Sequence, residues 1–255
     1  MSDQLPFTLN SLDGKKALAL VREADFAHAG DRESIDMVFK QLPRDPSKRV
    51  LDAGSGLGAT ADAIRHEGWG KVTGIEISKG SVIYANETYP RCNFVHGDVA
   101  EADQLVEPGF DIVVSFNAFY AFSDQEGALR AMAKVAKPDA KLAIFDYVDR
   151  GDYQSEPILE NGEPLIPNPV KLDRIERMLE HNGWRMFTIE PLHPHFADWY
   201  NQLIDRIVEK EKKIKKHTPE GFFEHMLSTY TQVATAIREN RLGGAIIRAD
   251  LGKGE

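Results

Sequence analysis

The sequence predicts an α/β protein built on a doubly wound, mostly parallel sheet. From residue 49 to residue 148, short apolar runs rich in β-branched residues alternate with amphipathic helical stretches. A glycine-rich turn follows the first of these runs, in "VLDAGSGLGA" at 50–59. Strands separated by helices form βαβ units, so we expect parallel strands with helices on both faces of the sheet.

The elements of this core are predicted from their apolar patterns and from the turns between them. The predicted strands are 50–53, 72–77, 93–96, 111–116 and 142–148. Helices are predicted at 59–66 and 81–88, and a further one follows Ser123. In that last helix Ser123 is the expected N-cap, Glu126 completes a capping box, and Pro138 marks the end.

Additional segments flank the core within one predicted domain, 1–255. Residues 1–43 are predicted to form a helical cap segment, with Asp31 as the N-cap of an amphipathic helix. After the core we predict, in order, a loop at 151–170, a helix at 171–183, a strand at 184–192, a two-helix insertion at 193–243 and a last strand at 244–251. We expect the insertion to cover the substrate side.

Composition excludes several classes of protein. A net charge of −9 argues against a general nucleic-acid binder, which needs a basic surface. The single cysteine, Cys92, excludes an intramolecular disulfide and a cysteine-rich zinc cluster, and we expect no metal. No apolar run is long enough to cross a bilayer, and the N-terminus lacks a secretion signal. We expect a cytoplasmic monomer or homodimer.

Three acidic residues follow successive predicted strands and indicate the ligand of the glycine turn. Glu76 ends the second strand, where a carboxylate can accept both hydroxyls of an adenosine ribose. Asp98 follows the third strand and can accept from an adenine amino group, with Val99 beside the ring. Asp52 precedes Gly54, where it would repel the pyrophosphate of a dinucleotide but attract the ammonium and sulfonium of S-adenosylmethionine. S-adenosylmethionine, leaving S-adenosylhomocysteine as product, is therefore favoured over NAD.

The sequence resembles the successive motifs of class I S-adenosylmethionine-dependent methyltransferases. The resemblance rests on "VLDAGSGLG", "VTGIEIS", "GDV", "FDIVVSFNAFYAFSD" and "KPDAKLAIFDY", and covers residues 30–150. It is nearest to the small-molecule branch that includes ubiquinone and menaquinone, sarcosine and dimethylglycine, and phosphoethanolamine methyltransferases. It implies a seven-stranded sheet whose last strand is antiparallel. The expected cofactor-binding residues are Asp52, Gly54, Ser55, Gly56, Gly58, Glu76, Ile77, Ser81, Gly97, Asp98, Val99 and Asn117.

Two further stretches are similar to the amine-methylating group of that branch. "AHAGDRESID" (27–36) resembles its N-terminal segment, which closes over the cofactor and would bring Gly30 and His28 to it. "GAIIRA" (244–249) resembles its last strand, which would offer Arg248 to an anionic substrate group. Tyr147 resembles the tyrosine that faces the substrate. Several relatives carry a histidine after strand four, whereas this chain has Tyr120-Ala121-Phe122 at that point.

These observations predict a methyltransferase that acts on a small molecule. We expect an amine nitrogen as acceptor, with O- or C-methylation of a small aromatic or quinone-like compound as the alternative. Tyr147 and His28 are the candidate catalytic residues, ahead of His193 and His195. The expected substrate-binding residues are Phe119, Tyr120, Tyr147, Tyr153, Trp199, Tyr200 and Arg248. An NAD-dependent oxidoreductase and a non-catalytic cofactor-binding protein remain alternatives.

Overall fold

The computed structural model describes residues 8–42 and 44–252 and contains a seven-stranded sheet. The strands are β1 (Arg49–Ala53), β2 (Lys71–Glu76), β3 (Asn93–His96), β4 (Phe110–Phe116), β5 (Ala136–Asp149), β6 (Trp184–Pro191) and β7 (Leu242–Leu251). Their order is β3-β2-β1-β4-β5-β7-β6. Strands β1 to β5 pair in parallel, and β7 is antiparallel to both of its neighbours. The predicted fold class, including the antiparallel last strand, is confirmed.

Helices cover both faces of this sheet. They are α1 (Leu12–Ala19), α2 (Asp31–Phe39), α3 (Ala59–His66), α4 (Lys79–Thr88), α5 (Ala102–Leu105), α6 (Gln125–Val135), α7 (Leu172–His181), α8 (His193–Glu209), α9 (Glu211–His217) and α10 (Phe222–Arg238). Side chains of each strand alternate between two apolar cores. Ile112 and Val114 of β4 pack in the core with α2 and α10, whereas Val113 packs with α6 and α7. Such strands are apolar throughout because both faces are buried.

Strand β1 lies at the point where the order of the sheet reverses direction. The chain passes from β1 through α3 to β2 on one side, and β4 pairs with β1 on the other side. At such a switch point the loops after the two neighbouring strands diverge and leave a crevice at their carboxyl ends. The glycine turn follows β1 into this crevice.

Several local predictions differ from the structure. The N-cap of α6 is Asp124, whose side chain accepts from the N–H of Gly127, and not Ser123. The N-cap of α2 is Gly30 in the left-handed region, and the Asp31 side chain instead forms ion pairs. The insertion holds three helices, because α9 forms a separate turn after α8. The loop at 151–170 contains a short hairpin, Leu159–Glu160 with Glu163–Pro164.

Candidate active site

A cavity of about 330 Å³ lies along the carboxyl ends of β1 to β4. Its wall contains most of the predicted cofactor residues: Gly54, Gly56, Glu76, Ile77, Gly97, Asp98, Val99 and Asn117. Tyr120 and Phe122, after β4, line it as well, and Asn10 and Lys15 close it from the N-terminal segment. The cavity is large enough for a nucleoside-sized ligand.

The glycine turn is shaped so that its backbone faces this cavity. Gly54 has φ +85°, and a Cβ there would lie 2.4 Å from the Cβ of Ala118. Gly56 has φ +55°, and a Cβ there would meet no atom within 4 Å because it would point into open space. Glycine is thus required for close packing at the first position and for backbone conformation at the second. Gly58 is the N-cap of α3 and packs against Phe94, so it supports the turn from behind.

Glu76 is fixed in one orientation at the end of β2. Its side chain is buried, and its Oε2 accepts from the N–H of Gly56 at 2.9 Å. Its Oε1 accepts from the N–H of Ser78 at 3.0 Å and pairs with the Nζ of Lys15 at 3.2 Å. The two backbone bonds fix the carboxylate at the cavity wall, and once Lys15 moves aside it can accept two neighbouring hydroxyl groups.

Asp52 is a buried carboxylate with an unsatisfied oxygen. Only 1 % of the residue is exposed, and its Oδ2 has no hydrogen-bond partner among the described residues. Burial and, secondly, the negative charge of Glu76 raise the pKa of Asp52 to about 7. A small cavity of about 20 Å³ lies beside it and is also lined by Asp25, His28, Ser55 and Thr60. Since a buried carboxylate without a partner is costly, this point favours a cationic or hydrogen-bond-donating ligand.

The opposite end of the large cavity suits a flat ring. Asp98 follows β3, and its Oδ1 accepts from the N–H of Ala100, which caps a single 3₁₀ turn. Val99 is buried beside it, whereas Ile77 leaves 69 % of its surface exposed at the rim. Ser81 does not reach this wall. It is buried in α4, where its N–H bonds to the Oγ of Ser78.

His28 lines the small cavity beside Asp52 and does not line the large cavity. Its Nε2 is 2.9 Å from the Oγ1 of Thr60, and its Nδ1 is 3.0 Å from the carbonyl oxygen of Ala29. Burial lowers the pKa of His28 to about 4, so the ring is neutral at physiological pH. Because a carbonyl only accepts, Nδ1 carries the proton and Nε2 accepts from Thr60. Both nitrogens are engaged, which suits a residue that positions the N-terminal segment.

A second, narrower cavity of about 30 Å³ continues from the first and forms a chamber of aromatic hydroxyls. We call it the acceptor chamber, and its lining residues are Leu9, Asn10, Lys15, Leu18, Arg22, Ala27, Asn117, Tyr120, Tyr147, Leu165, Ile166, Tyr200 and Tyr230. Asn117 and Tyr120 line both cavities. The hydroxyls of Tyr147 and Tyr200 are hydrogen-bonded to each other.

The tyrosines of the acceptor chamber stay protonated. Burial raises the pKa of Tyr200 to about 12 and that of Tyr147 well above its ordinary value. The pKa values of Tyr120 and Tyr230 are raised as well, again mainly by burial. At neutral pH these groups donate and accept hydrogen bonds and do not act as phenolate bases.

Other predicted substrate residues lie outside the chamber. Phe119 is buried in the core with α6, and the Tyr153 hydroxyl accepts from the N–H of Ile158. Trp199 packs over Gly30, and its indole N–H donates to Glu33 at 2.8 Å. Neither Trp199 nor Gly30 is among the residues that line the three cavities of the site.

The expectation that Arg248 faces the substrate does not fit the structure. Its guanidinium bonds to Glu190 at 2.7 Å and to the carbonyl oxygen of Met37 at 2.9 Å. The cause is strand direction. Arg248 pairs with Ala143 in the middle of β5, four residues before Tyr147, because β7 is antiparallel and its second half runs away from the carboxyl edge of the parallel strands. Gly244 is the residue of β7 that pairs with Tyr147.

Sequence reasoning missed several residues at the site. Arg22 and Lys15 belong to no recognisable sequence motif. Tyr230 lies in an apolar stripe of α10, and such a stripe indicates only that the helix faces a core. Asp146 had a usable signal, since an acid inside an apolar strand is unusual. Its carboxylate is buried and accepts from the N–H groups of Tyr120 and Tyr147, so it positions both tyrosines.

No group of three or more metal-ligating side chains, as a metal ion would need, occurs among residues 8–42 and 44–252. No helix within the same ranges has the length and apolar character to span a membrane.

The site can be compared with known proteins. Residues 51–144 match the family model described as a methyltransferase domain. An O-methyltransferase of Pyrenophora dematioidea is 25% identical over 166 residues, which are 62% of this chain and 62% of that protein. Phosphoethanolamine N-methyltransferase 1 of Zea mays is 28% identical over 191 residues, 73% of this chain and 38% of that protein. The chain thus spans less than two thirds of the length of these curated relatives.

A solved structure shares the architecture. Phosphoethanolamine N-methyltransferase 2 of Haemonchus contortus, solved with phosphomonomethylethanolamine and S-adenosylhomocysteine, superposes with a TM-score of 0.83. The identity is 18%, over 96% of this chain and 59% of that one, so the likeness concerns the fold. Residues 51–144 match a methyltransferase domain, and the sheet around them has the seven strands and the antiparallel last strand that the resemblance to class I S-adenosylmethionine-dependent methyltransferases implies.

Proposed function

We propose that this protein transfers the methyl group of S-adenosylmethionine to an amine nitrogen of a small-molecule acceptor. The identity of the methyl donor is inferred from Asp52, a buried carboxylate with an unsatisfied oxygen beside the glycine turn. A ligand with an ammonium and a sulfonium satisfies this carboxylate, whereas a pyrophosphate would be repelled by it. The same point disfavours an NAD-dependent oxidoreductase.

The remaining donor contacts follow from the shape of the large cavity. Glu76 would accept the ribose hydroxyls, Asp98 and Val99 would hold the adenine, and Asp52 with Asn117 would hold the methionine end. When bound, the donor supplies a methyl group that is already activated by its sulfonium. The chain itself has to align the acceptor and exclude water, and good alignment lowers such barriers by roughly 7–11 kcal/mol.

An amine acceptor suits the acceptor chamber because its lining offers no strong base. The four tyrosines of the chamber are neutral. Its charged lining residues are Arg22 and Lys15, and Lys15 is paired with Glu76. An amine with a pKa of about 9–10 has a fraction already deprotonated at neutral pH, and the tyrosine hydroxyls can accept its remaining N–H groups. An aliphatic hydroxyl or a carbon acid would need a base to release its proton. The two phosphoethanolamine N-methyltransferases among the compared proteins are consistent with an amine.

The second candidate is O- or C-methylation of a small aromatic or quinone-like compound. It is favoured by the O-methyltransferases among the relatives and by the rings of Phe116, Tyr120 and Phe122 in the wall of the large cavity. A phenol is acidic enough to react with modest assistance, so this candidate needs a direct comparison.

Binding and turnover test the two parts separately. Calorimetric titration should show binding of S-adenosylmethionine and S-adenosylhomocysteine and none of NADH. Donor labelled in the methyl group should then transfer label to primary or secondary amines in a panel of matched amines and phenols. Tight NADH binding would overturn the donor assignment, and label on phenols alone would overturn the amine.

A further inference from the structure

A buried arginine forms the end of the acceptor chamber that lies away from the large cavity. Arg22 follows α1, and only 2 % of its side chain is exposed. It lines the acceptor chamber together with Tyr200 and Tyr230, and none of these three lines the large cavity. Asn117 and Tyr120 stand at the junction of the two cavities. The chamber thus has a positively charged end at Arg22 and an opposite end, which we call the donor end, next to the cavity proposed for the methyl donor.

Arg22 shares its ion-pair partner with a second arginine. Its Nη1 donates to the Oδ1 of Asp31 at 2.9 Å, but the Oδ2 of Asp31 is already bound by the Nη1 of Arg206 at 2.8 Å. Among the described residues, Asp31 is thus the one carboxylate that forms an ion pair with either guanidinium group, and the two groups share it. The tyrosine hydroxyls that face Arg22 are neutral.

The guanidinium also keeps an unused donor. The Nε of Arg22 is buried and has no hydrogen-bond partner among the described residues. An unpaired N–H group of a buried cation is costly unless a ligand accepts from it. A planar guanidinium is well suited to carboxylate and phosphate oxygens, and neighbouring tyrosine hydroxyls can add further donors.

We propose that the acceptor carries an anionic group, a carboxylate or a phosphate, and that Arg22 binds this group with the hydroxyls of Tyr200 and Tyr230. The reacting nitrogen then points to the donor end, toward Asn117 and Tyr120. This inference rests on the proposed function, because it takes the chamber to be the acceptor site. It assigns to Arg22 the role that the resemblance had implied for Arg248.

The inference is tested by titrating simple anions onto the intact protein saturated with S-adenosylhomocysteine. Inorganic phosphate and acetate serve as separate probes, so that a phosphate-specific site is distinguished from a carboxylate-specific one. We expect at least one of them to bind the wild-type protein and to bind R22Q at least about tenfold more weakly, since R22Q removes the charged hydrogen-bond donor. R22K keeps the positive charge but lacks the planar set of N–H donors of a guanidinium, so it should bind the anion with intermediate affinity.

Matched measurements keep the outcome clear. Arg32 pairs with Glu67 at the surface, and its side chain is 48 % exposed, so R32Q should bind the anion like the wild-type protein. Retained S-adenosylhomocysteine binding shows that each variant is folded. If neither anion binds the wild-type complex, or if R22Q binds it equally well, the inference is wrong while the proposed function stands. If S-adenosylhomocysteine itself does not bind, the proposed function fails instead.

Discussion

Replacing Asp52 by asparagine should stabilise the protein and weaken donor binding at the same time. The carboxyl group is buried, and its pKa is raised from 3.8 to about 7 by burial and by Glu76. This difference corresponds to roughly 4 kcal/mol against the charged form in the folded state. Asparagine has nearly the same shape and carries no charge, so it removes this cost.

The effect depends on pH with a defined sign. The folded protein binds the proton of Asp52 more tightly than the unfolded chain does. The stability that this proton contributes is fully present below pH 4 and is lost as the pH rises through about 7. The gain in D52N should therefore be near zero at pH 4 and should approach an upper limit of about 4 kcal/mol above pH 7.

Urea unfolding of the ligand-free protein at pH 4 and pH 8 measures this gain, and calorimetry with S-adenosylhomocysteine measures the donor site. We expect D52N to lose about 2 kcal/mol or more of binding free energy, a factor of about 30, because one partner of a buried charge pair is missing. Asp205 is exposed on α8, and D205N should change neither quantity. A stability gain that is the same at both pH values, or unchanged affinity for S-adenosylhomocysteine, would refute the reasoning.

Three further changes test other parts of the site. Y147F should slow turnover about three- to tenfold by removing one neutral hydrogen bond, with the Kd of S-adenosylhomocysteine unchanged within about twofold. Glu160 accepts hydrogen bonds from His225 and from the N–H of Leu9, so E160A should lower the free energy of unfolding by about 2 kcal/mol. Faster hydrogen exchange at residues 8–20 would show that the N-terminal segment is released. Gly30 has φ +74°, and a Cβ there would lie 2.8 Å from the Trp199 ring, so G30A should lower the free energy of unfolding by about 1–3 kcal/mol in urea titrations.

The wall of the donor cavity could be predicted because its parts are close in sequence or fixed by topology. Asp52 and Gly56 belong to one strand and its turn. Glu76 and Asp98 follow the next two strands, and parallel neighbours bring their carboxyl ends to one edge of the sheet. A pattern of strands and acids is therefore enough to place these residues around one cavity.

The acceptor chamber could not be predicted in this way. Arg22 comes from the N-terminal segment, and Tyr200 and Tyr230 come from two helices inserted between β6 and β7. Their contacts depend on how those helices pack, and a helical apolar stripe does not distinguish a tyrosine in a core from one at a cavity. The misplacement of Arg248 has a simpler origin: because β7 is antiparallel, Arg248 lies four residues, about 13 Å, back along the sheet from the level of Tyr147.

Two buried aspartates show which observation identifies a ligand site. Burial raises the pKa of both Asp52 and Asp146 to about 7. Asp146 accepts hydrogen bonds from two backbone N–H groups and thereby fixes the chain around Tyr120 and Tyr147, so its carboxylate already has its partners. Asp52 keeps an oxygen without a partner at the edge of a cavity. A shifted pKa alone does not separate the two roles, and the missing hydrogen bond does, because only the unsatisfied group gains free energy when a cation binds.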